Sequence, residues 1–329
     1  MELPKINNSE ISGKKVIVRA DLDIGTPDGD SYRLEAMLPT LRVLFESNCE
    51  IVLCGHRGRP GGKEEESLSL KNVGEQLENL LKQKWGEEDV RKLKMQLMEN
   101  IRFNEGEEKN DEHFAKHLAE KGEYFVNEAF AASHRKHASI VLLPKLLPHA
   151  FGIRFIEEVE NLSKVINNPV KPVLLIVGGI KKDKQENLKS YASFADKVLV
   201  AGRLPVYIGD ESELRVDERY KIAKLLPDKE DMTIHSIEDF EEEIKSAKTI
   251  ILAGPMGKFE ETGHMMGTKR VFEAVANSSA QKIAGGGNTI HAIEKLNLKD
   301  KFDWISVGGG AVLEFLKEGT LVGIKAQTS

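Results

Sequence analysis

The chain has 329 residues, about twice the length of an ordinary domain, so two domains of roughly 150 residues each are expected. Hydrophobic residues make up 40% and charged residues 30% at a net charge of −6, which excludes general disorder and, with no Lys/Arg stripe, leaves a nucleic-acid or anionic-membrane surface without electrostatic support. The opening MELPKINNSEISGKK lacks the apolar stretch of a signal peptide and no run of about 18 apolar residues follows, so the expectation is a cytoplasmic protein.

In chain order, KVIVRAD at 15–21 and EIVLCGH at 50–56 are short β-branched or apolar runs closing on Asp or His, the pattern of strands buried on both faces. Cys49 precedes the second run and Cys54 lies within it, without CxxC or zinc spacing, and both are expected as buried free thiols. LKNVGEQLENLLKQ and DEHFAKHLAEKG place apolar residues three and four apart and predict surface helices packed on a sheet, with the strand EYFVN at 123–127 after them. From Arg154 to Pro172, RFIEEVENLSKVINNPVKP reads as a helix ended by Asn and Pro, the expected joint between domains. The strand habit then returns in VLLIVGG at 173–179, KVLVAG at 197–202, TIILAGP at 249–255, KIAGGG at 282–287 and DWISVGGG at 303–310. Between Arg203 and Asp239 the pattern weakens to one plausible helix. This βα alternation predicts an α/β fold: two Rossmann-like three-layer domains with parallel sheets, joined by a hinge helix.

Open parallel sheets bind ligands beyond the carboxyl ends of their strands. In the first half those ends carry Arg19 and Asp21, then His56, Arg57 and Arg59, Arg102, and His134, Arg135 and His137. Any one of these arginines taken alone reads more readily as a separate surface or ion-pair residue. Five at successive strand ends point instead to a shared anion, since guanidinium forks match carboxylate and phosphate oxygens. A phosphorylated carboxylic acid fits.

The second half offers glycines at its strand ends, in VGGIKKDK, LAGPMG, AGGGNT and SVGGGA, with Lys181, Lys182 and Lys184 as the local charge. Glycine lets backbone amides approach a ligand, and a following helix presents unpaired N–H groups to phosphates. Neither a Walker A string nor GxGxxG followed by an acidic residue is present, which argues against a P-loop NTPase and an NAD-dependent oxidoreductase. A basic acid-phosphate pocket in one domain and a glycine-lined nucleotide pocket in the other suggest transfer between them, with closure about the joint.

In order along the chain, GKKVIVRADLD, GHRGRP, ENIRFNEGEEKN, VNEAFAASHRKHAS, GGIKKDK, GPMGKFE, GGGNT and VGGGAVLEFL resemble the signature segments of phosphoglycerate kinase. The resemblance implies reversible phosphoryl transfer between 1,3-bisphosphoglycerate with ADP and 3-phosphoglycerate with ATP, in glycolysis, by a cytoplasmic monomer using Mg2+. It implies a phosphoglycerate-binding domain at 1–155, joined by a carboxy-terminal tail at about 316–329, and a nucleotide-binding domain at 156–315. Residue by residue it implies that Asp21, Asp23, Arg33, His56, Arg59, Arg102, His134 and Arg135 form the phosphoglycerate pocket. Arg33 corresponds to the catalytic arginine, and Lys181, Gly286 and Gly309 are its implied catalytic partners. Lys181, Lys184, Gly202, Gly254, Pro255, Glu260, Gly285, Gly286, Gly287, Asn288 and Thr289 are the implied nucleotide residues.

Against the family pattern the chain is some sixty residues short between Gly202 and Asp239, AGRLP at 201–205 replaces the usual GGGMA-type loop, and Ala253 replaces an Asn. Asp23 stands where a substrate-binding Asn is usual. Asn288 stands where the family has the Asp that holds magnesium. Loss confined to the nucleotide side leaves a second reading, a catalytically weak or inactive 3-phosphoglycerate-binding sensor.

Overall fold

Residues 2–24, 31–180, 183–209 and 211–328 are described by the computed structural model. Among the described residues eleven strands form two sheets in which every named pairing is parallel. The first contains β1 (Lys15–Arg19), β2 (Glu50–Cys54), β3 (Met95–Leu97), β4 (Tyr124–Asn127) and β5 (His149–Phe151), in the order β3-β2-β1-β4-β5. The second contains β6 (Val173–Val177), β7 (Lys197–Val200), β8 (Tyr220–Ile222), β9 (Thr249–Ala253), β10 (Gln281–Gly285) and β11 (Trp304–Ser306), in the order β11-β10-β9-β6-β7-β8. The chain divides into two compact units, one of Met1–Glu160 with Thr320–Ser329 and one of Asn161–Gly319.

Successive residues of β1 serve opposite faces of its sheet. Val16 and Val18 pack with Leu34, Met37 and Leu41 of the helix Ser31–Glu46 and with Val73 and Leu77 of the helix Lys71–Trp85. Ile17 packs with Phe114, Ala115 and Leu118 of the helix Glu112–Ala119. Each fully buried Val, Ile or Leu side chain of this kind contributes about 1.5–3 kcal/mol of hydrophobic free energy. The two cysteines are buried free thiols within this unit.

In each sheet the chain starts near the middle, winds outward on one side, then returns to the other. β1 therefore lies between β2 and β4, and β6 between β7 and β9. The register levels the carboxyl ends: Arg19 pairs with both Cys54 and Asn127, and Val177 with both Val200 and Ala253. Each sheet thus has one switch point where neighbouring loops leave in opposite directions and a ligand can lie against strand ends.

The expected strands are present, and all but the one at 123–127 stop earlier. The runs 15–21, 50–56, 173–179 and 249–255 end as strands at Arg19, Cys54, Val177 and Ala253, and their last two residues begin the loops. β3, β5 and β8, three residues each, were not expected from the sequence. The weak stretch 203–239 contains a one-turn helix Leu204–Tyr207, a short 3-10 turn Glu213–Arg215, β8, and the start of the helix Ile234–Ser246. Among the described residues no helix is long and apolar enough to cross a membrane.

The helix Ile153–Asn167 runs across the division between the units, and its first turn is held by the first unit. Buried Glu128 accepts the Thr40 hydroxyl at 2.6 Å and the amides of Arg154 and Phe155 at 3.2 and 3.1 Å, while Thr40 Oγ1 accepts the amide of Ile153 at 2.8 Å. Burial pushes the Glu128 carboxyl up to about 8, with the Thr40 hydroxyl and the two amides pulling the other way. Glu128→Ala leaves those donors without their acceptor and is expected to destabilise the first unit by about 1–3 kcal/mol. A denaturant midpoint equal to that of the parent would contradict this role.

Candidate functional site

The carboxyl edge of the first sheet gathers its polar groups from four strand ends. From β1 comes Arg19, fully buried, with Nε on the Ser139 hydroxyl at 2.9 Å, one terminal nitrogen on the Ala20 carbonyl at 2.5 Å and the other 2.9 Å from His56 Nδ1. Asp21 and Asp23 follow in the same loop. Arg33, on the helix Ser31–Glu46, reaches back to donate to the Asp23 carbonyl at 2.6 Å and pairs with Asp21 at 3.4 Å. The Asp23 carboxylate accepts the Gly58 amide at 2.8 Å, which ties the loop after β1 to the loop after β2.

His56 ends the β2 run and is 3% exposed, which in this setting decides its charge. Burial, then the positive charges of Arg19, Arg102 and Arg135, hold it well below its ordinary value of 6.5. Arg102, beyond β3, donates to the Gly58 carbonyl at 2.7 Å and lies 3.3 Å from Glu108, yet one terminal nitrogen of its guanidinium is buried with no hydrogen-bond partner. Burial and the nearby Arg135 push it down to about 10. Asn100 shapes this turn by donating to the carbonyls of Arg57 and Leu68 and accepting the Arg102 amide. Arg135 is lowered by burial and by Arg59, with Asp23 and Asp21 opposing. His137 is pushed down to about 3 by burial and by Arg102, Arg19 and Arg135.

Of the residues expected on this side, Asp21, Asp23, Arg33, His56, Arg102, His134 and Arg135 therefore belong to one electrostatically coupled group. Arg59 is exposed at its rim and acts on Arg135 by charge. His56 and the neighbouring His137 are held neutral, and Arg102 and Arg135 are pushed toward losing their protons, so the local potential is positive and suited to an anion. Asn100, Glu107, Glu108 and Ser139 were not expected. Glu107 hides in the acidic run EGEE at 105–108, where only its complete burial distinguishes it.

At the carboxyl edge of the second sheet the main chain itself forms the surface. Gly202 has φ +62°, and a Cβ there would lie 2.4 Å from the Gly179 nitrogen, so the loops after β6 and β7 touch through bare backbone. A Cβ on Gly309 would lie 3.1 Å from the Gly286 Cα, which brings the turns after β10 and β11 equally close. Those two glycines precede the helices Gly287–Lys295 and Gly310–Glu318, and neither helix start has a side-chain cap. Thr289 is buried; its hydroxyl accepts the Gly254 amide and donates to the Gly285 carbonyl, both at 2.8 Å, joining the β9 and β10 turns. The Pro255 carbonyl accepts the Gly179 amide at 2.8 Å. Adjacent uncapped helix starts with no side chains in the way suit phosphate oxygens.

Gly202, Gly254, Pro255, Gly285, Gly286, Gly287 and Thr289 thus share one edge, with Asn288 exposed on the first turn of its helix and Glu260 exposed beyond the β9 loop. Lys181 lies outside the described residues. Of Lys184 only the backbone is described, in the short helix Asp183–Glu186.

The family model described as phosphoglycerate kinase matches residues 6–222 and 205–319. Curated relatives called phosphoglycerate kinase include one from Borreliella afzelii, 34% identical over 96% of this chain and 97% of its own length, and one from Coprothermobacter proteolyticus, 34% identical over 98% of each. Among solved structures, phosphoglycerate kinase from Coxiella burnetii superposes with a TM-score of 0.75 at 28% identity over 99% of both chains. The enzyme from Pyrococcus horikoshii gives 0.80 at 25% identity over 96% of both. The Borreliella alignment spans 380 positions but takes in 96% of a 329-residue chain, leaving about sixty positions with no residue here. The two family-model matches overlap at 205–222, which locates that shortfall in the stretch after β7.

A neutral His137 at about 3 has a pH consequence. Its folded value is depressed below the ordinary 6.5, so its contribution to stability is complete above about pH 6.5 and declines as pH falls toward 3. Glu128, raised to about 8, acts oppositely over part of that range, so the test is a difference. His137→Asn is expected to lose less stability than the parent between pH 7 and pH 5 in denaturant titrations; parallel losses would show that the ring is not held neutral.

Proposed function

The chain belongs to the phosphoglycerate kinase family, and we propose that it transfers a phosphoryl group reversibly between the acyl phosphate of 1,3-bisphosphoglycerate and ADP, in the cytoplasm and as a monomer. The observation that carries the substrate assignment is the coupled set of arginines and neutral histidines at the first sheet's carboxyl edge. Repulsion among buried guanidinium groups is relieved by a ligand bearing a carboxylate and a phosphate, and 3-phosphoglycerate has both. The unpartnered Arg102 nitrogen is a donor such an anion would satisfy.

Asp21, Asp23, Arg33, His56, Arg59, Arg102, His134 and Arg135 are the proposed acid site. Gly202, Gly254, Pro255, Glu260, Gly285 to Thr289, Lys181 and Lys184 are the proposed nucleotide site, the uncapped helix starts at Gly286 and Gly309 receiving phosphates. Arg33 is held by the Asp23 carbonyl and Asp21, so its fork is oriented before substrate arrives, and its task is to offset charge on the moving phosphoryl group. Transfer requires the two ligands to meet away from water, and no covalent enzyme intermediate is needed.

Among the described residues no three His, Cys, Asp or Glu groups gather as a metal cage. Asn288 offers one neutral amide oxygen at an exposed position. That donor set fits a magnesium ion that keeps phosphate and water oxygens for most of its coordination. Bound in this way, Mg2+ supplies charge neutralisation on the nucleotide phosphates. The relatives and structures reported above are kinases by name, and none supports the sensor reading.

A coupled assay with 3-phosphoglycerate, ATP and saturating Mg2+ is expected to show turnover; absence of turnover with retained 3-phosphoglycerate binding would overturn the kinase assignment. Arg33→Ala is expected to lower kcat by about three to five powers of ten, as loss of a charge-stabilising arginine does elsewhere in phosphoryl transfer. A decrease below about tenfold would remove Arg33 from that role.

A further inference from the structure

Behind the rim of the acid site runs a buried line of polar groups that begins at Glu107, which has no exposed surface. Its carboxylate takes both polar hydrogens of Ser139, the hydroxyl at 2.6 Å and the backbone amide at 2.9 Å. With its proton committed to Glu107, the Ser139 oxygen can only accept, and it accepts Arg19 Nε at 2.9 Å. The Ala20 carbonyl at 2.5 Å holds another corner of the guanidinium. Its plane is thereby fixed, and the remaining nitrogen meets His56 Nδ1 at 2.9 Å. A guanidinium donates and never accepts. Nδ1 of His56 must then be the acceptor, and a neutral ring carries its proton on Nε2. That Nε2 lies 3.9 Å from the nearest Asp23 oxygen, beyond hydrogen-bond reach.

We propose that Glu107 and Ser139 are positioning residues for the phosphorylated acid: acting through Arg19, they hold His56 as the Nε2–H tautomer, a neutral donor presented to the ligand. The identity of the acid rests on the reading given above; the tautomer does not. Neutrality matters here, because a further positive charge among Arg19, Arg102 and Arg135 would add repulsion, whereas a neutral N–H donates without it. A buried carboxylate serving only to balance Arg19 could achieve that by direct pairing. The interposed hydroxyl instead sets the angle of the fork.

Histidine nitrogen NMR on the unsubstituted chain reads the tautomer without any variant. The expected result is His56 protonated at Nε2 and bare at Nδ1; a ring protonated at Nδ1 overturns the proposal. Ser139→Ala should mix the His56 tautomers and raise KM for 3-phosphoglycerate about tenfold while KM for ATP stays within about twofold, the loss being that of a hydrogen bond to a charged group. Ser139→Thr, which restores the hydroxyl, should recover both readouts. A 3-phosphoglycerate KM within about twofold of the parent in the alanine variant overturns the positioning role. An unsubstituted chain that shows the Nε2–H tautomer yet binds no 3-phosphoglycerate overturns the substrate assignment, and with it the role given to the tautomer.

Discussion

Guanidinium groups crowded at the carboxyl edge of one parallel sheet repel one another, and much of the first unit is arranged around that repulsion. Arg19 and Arg102 are buried, and Arg135 lies close enough to lower the proton affinity of Arg102. Each is tethered or opposed by fixed groups: Arg19 by Ser139 and the Ala20 carbonyl, Arg102 by the Gly58 carbonyl and Glu108, Arg135 by the charges of Asp21 and Asp23. His56 and His137 respond by staying neutral. Separating these charges would be simpler if stability alone were at stake, and their assembly supports the anion site proposed above.

The second unit solves a related problem without side-chain charge. Loops after four strands are packed so closely that a methyl group on Gly202 or Gly309 would press on neighbouring backbone. What this leaves at the strand ends is peptide N–H at two uncapped helix starts. The chain is about sixty alignment positions shorter than a curated relative, and the shortfall falls after β7, in a stretch now spanned by one helical turn, a 3-10 turn and the edge strand β8. The glycine turns after β6, β9, β10 and β11 lie outside that stretch. The shortening therefore spares those glycine turns and both uncapped helix starts.

Much of this was legible in the sequence because strands buried on both faces are written as unbroken apolar runs. Runs such as VLLIV and TIILA are wholly buried. Boundaries were less legible for an informative reason: the residues read as strand ends, such as Asp21, His56 and Gly179, are those that leave the sheet and begin the loops at its carboxyl edge. β3, β5 and β8 escaped because three residues of mixed polarity at or near a sheet edge leave no run to see. In the first unit, arginines and histidines at strand ends announced themselves. Glu107 and Ser139 did not, since a buried acid in an acidic helix and a serine at the end of SHRKHAS look like solvent-facing residues until burial is known.

Crystals grown with 3-phosphoglycerate and no nucleotide would test the central claim most directly, that the arginine and histidine group is an anion site for a phosphorylated acid. The account predicts ligand density at the carboxyl edge of the first sheet, with phosphate and carboxylate oxygens within hydrogen-bond distance of Arg33, Arg102 and the His56 Nε2. Density confined to the glycine turns of the second sheet, with those three side chains untouched, would contradict it.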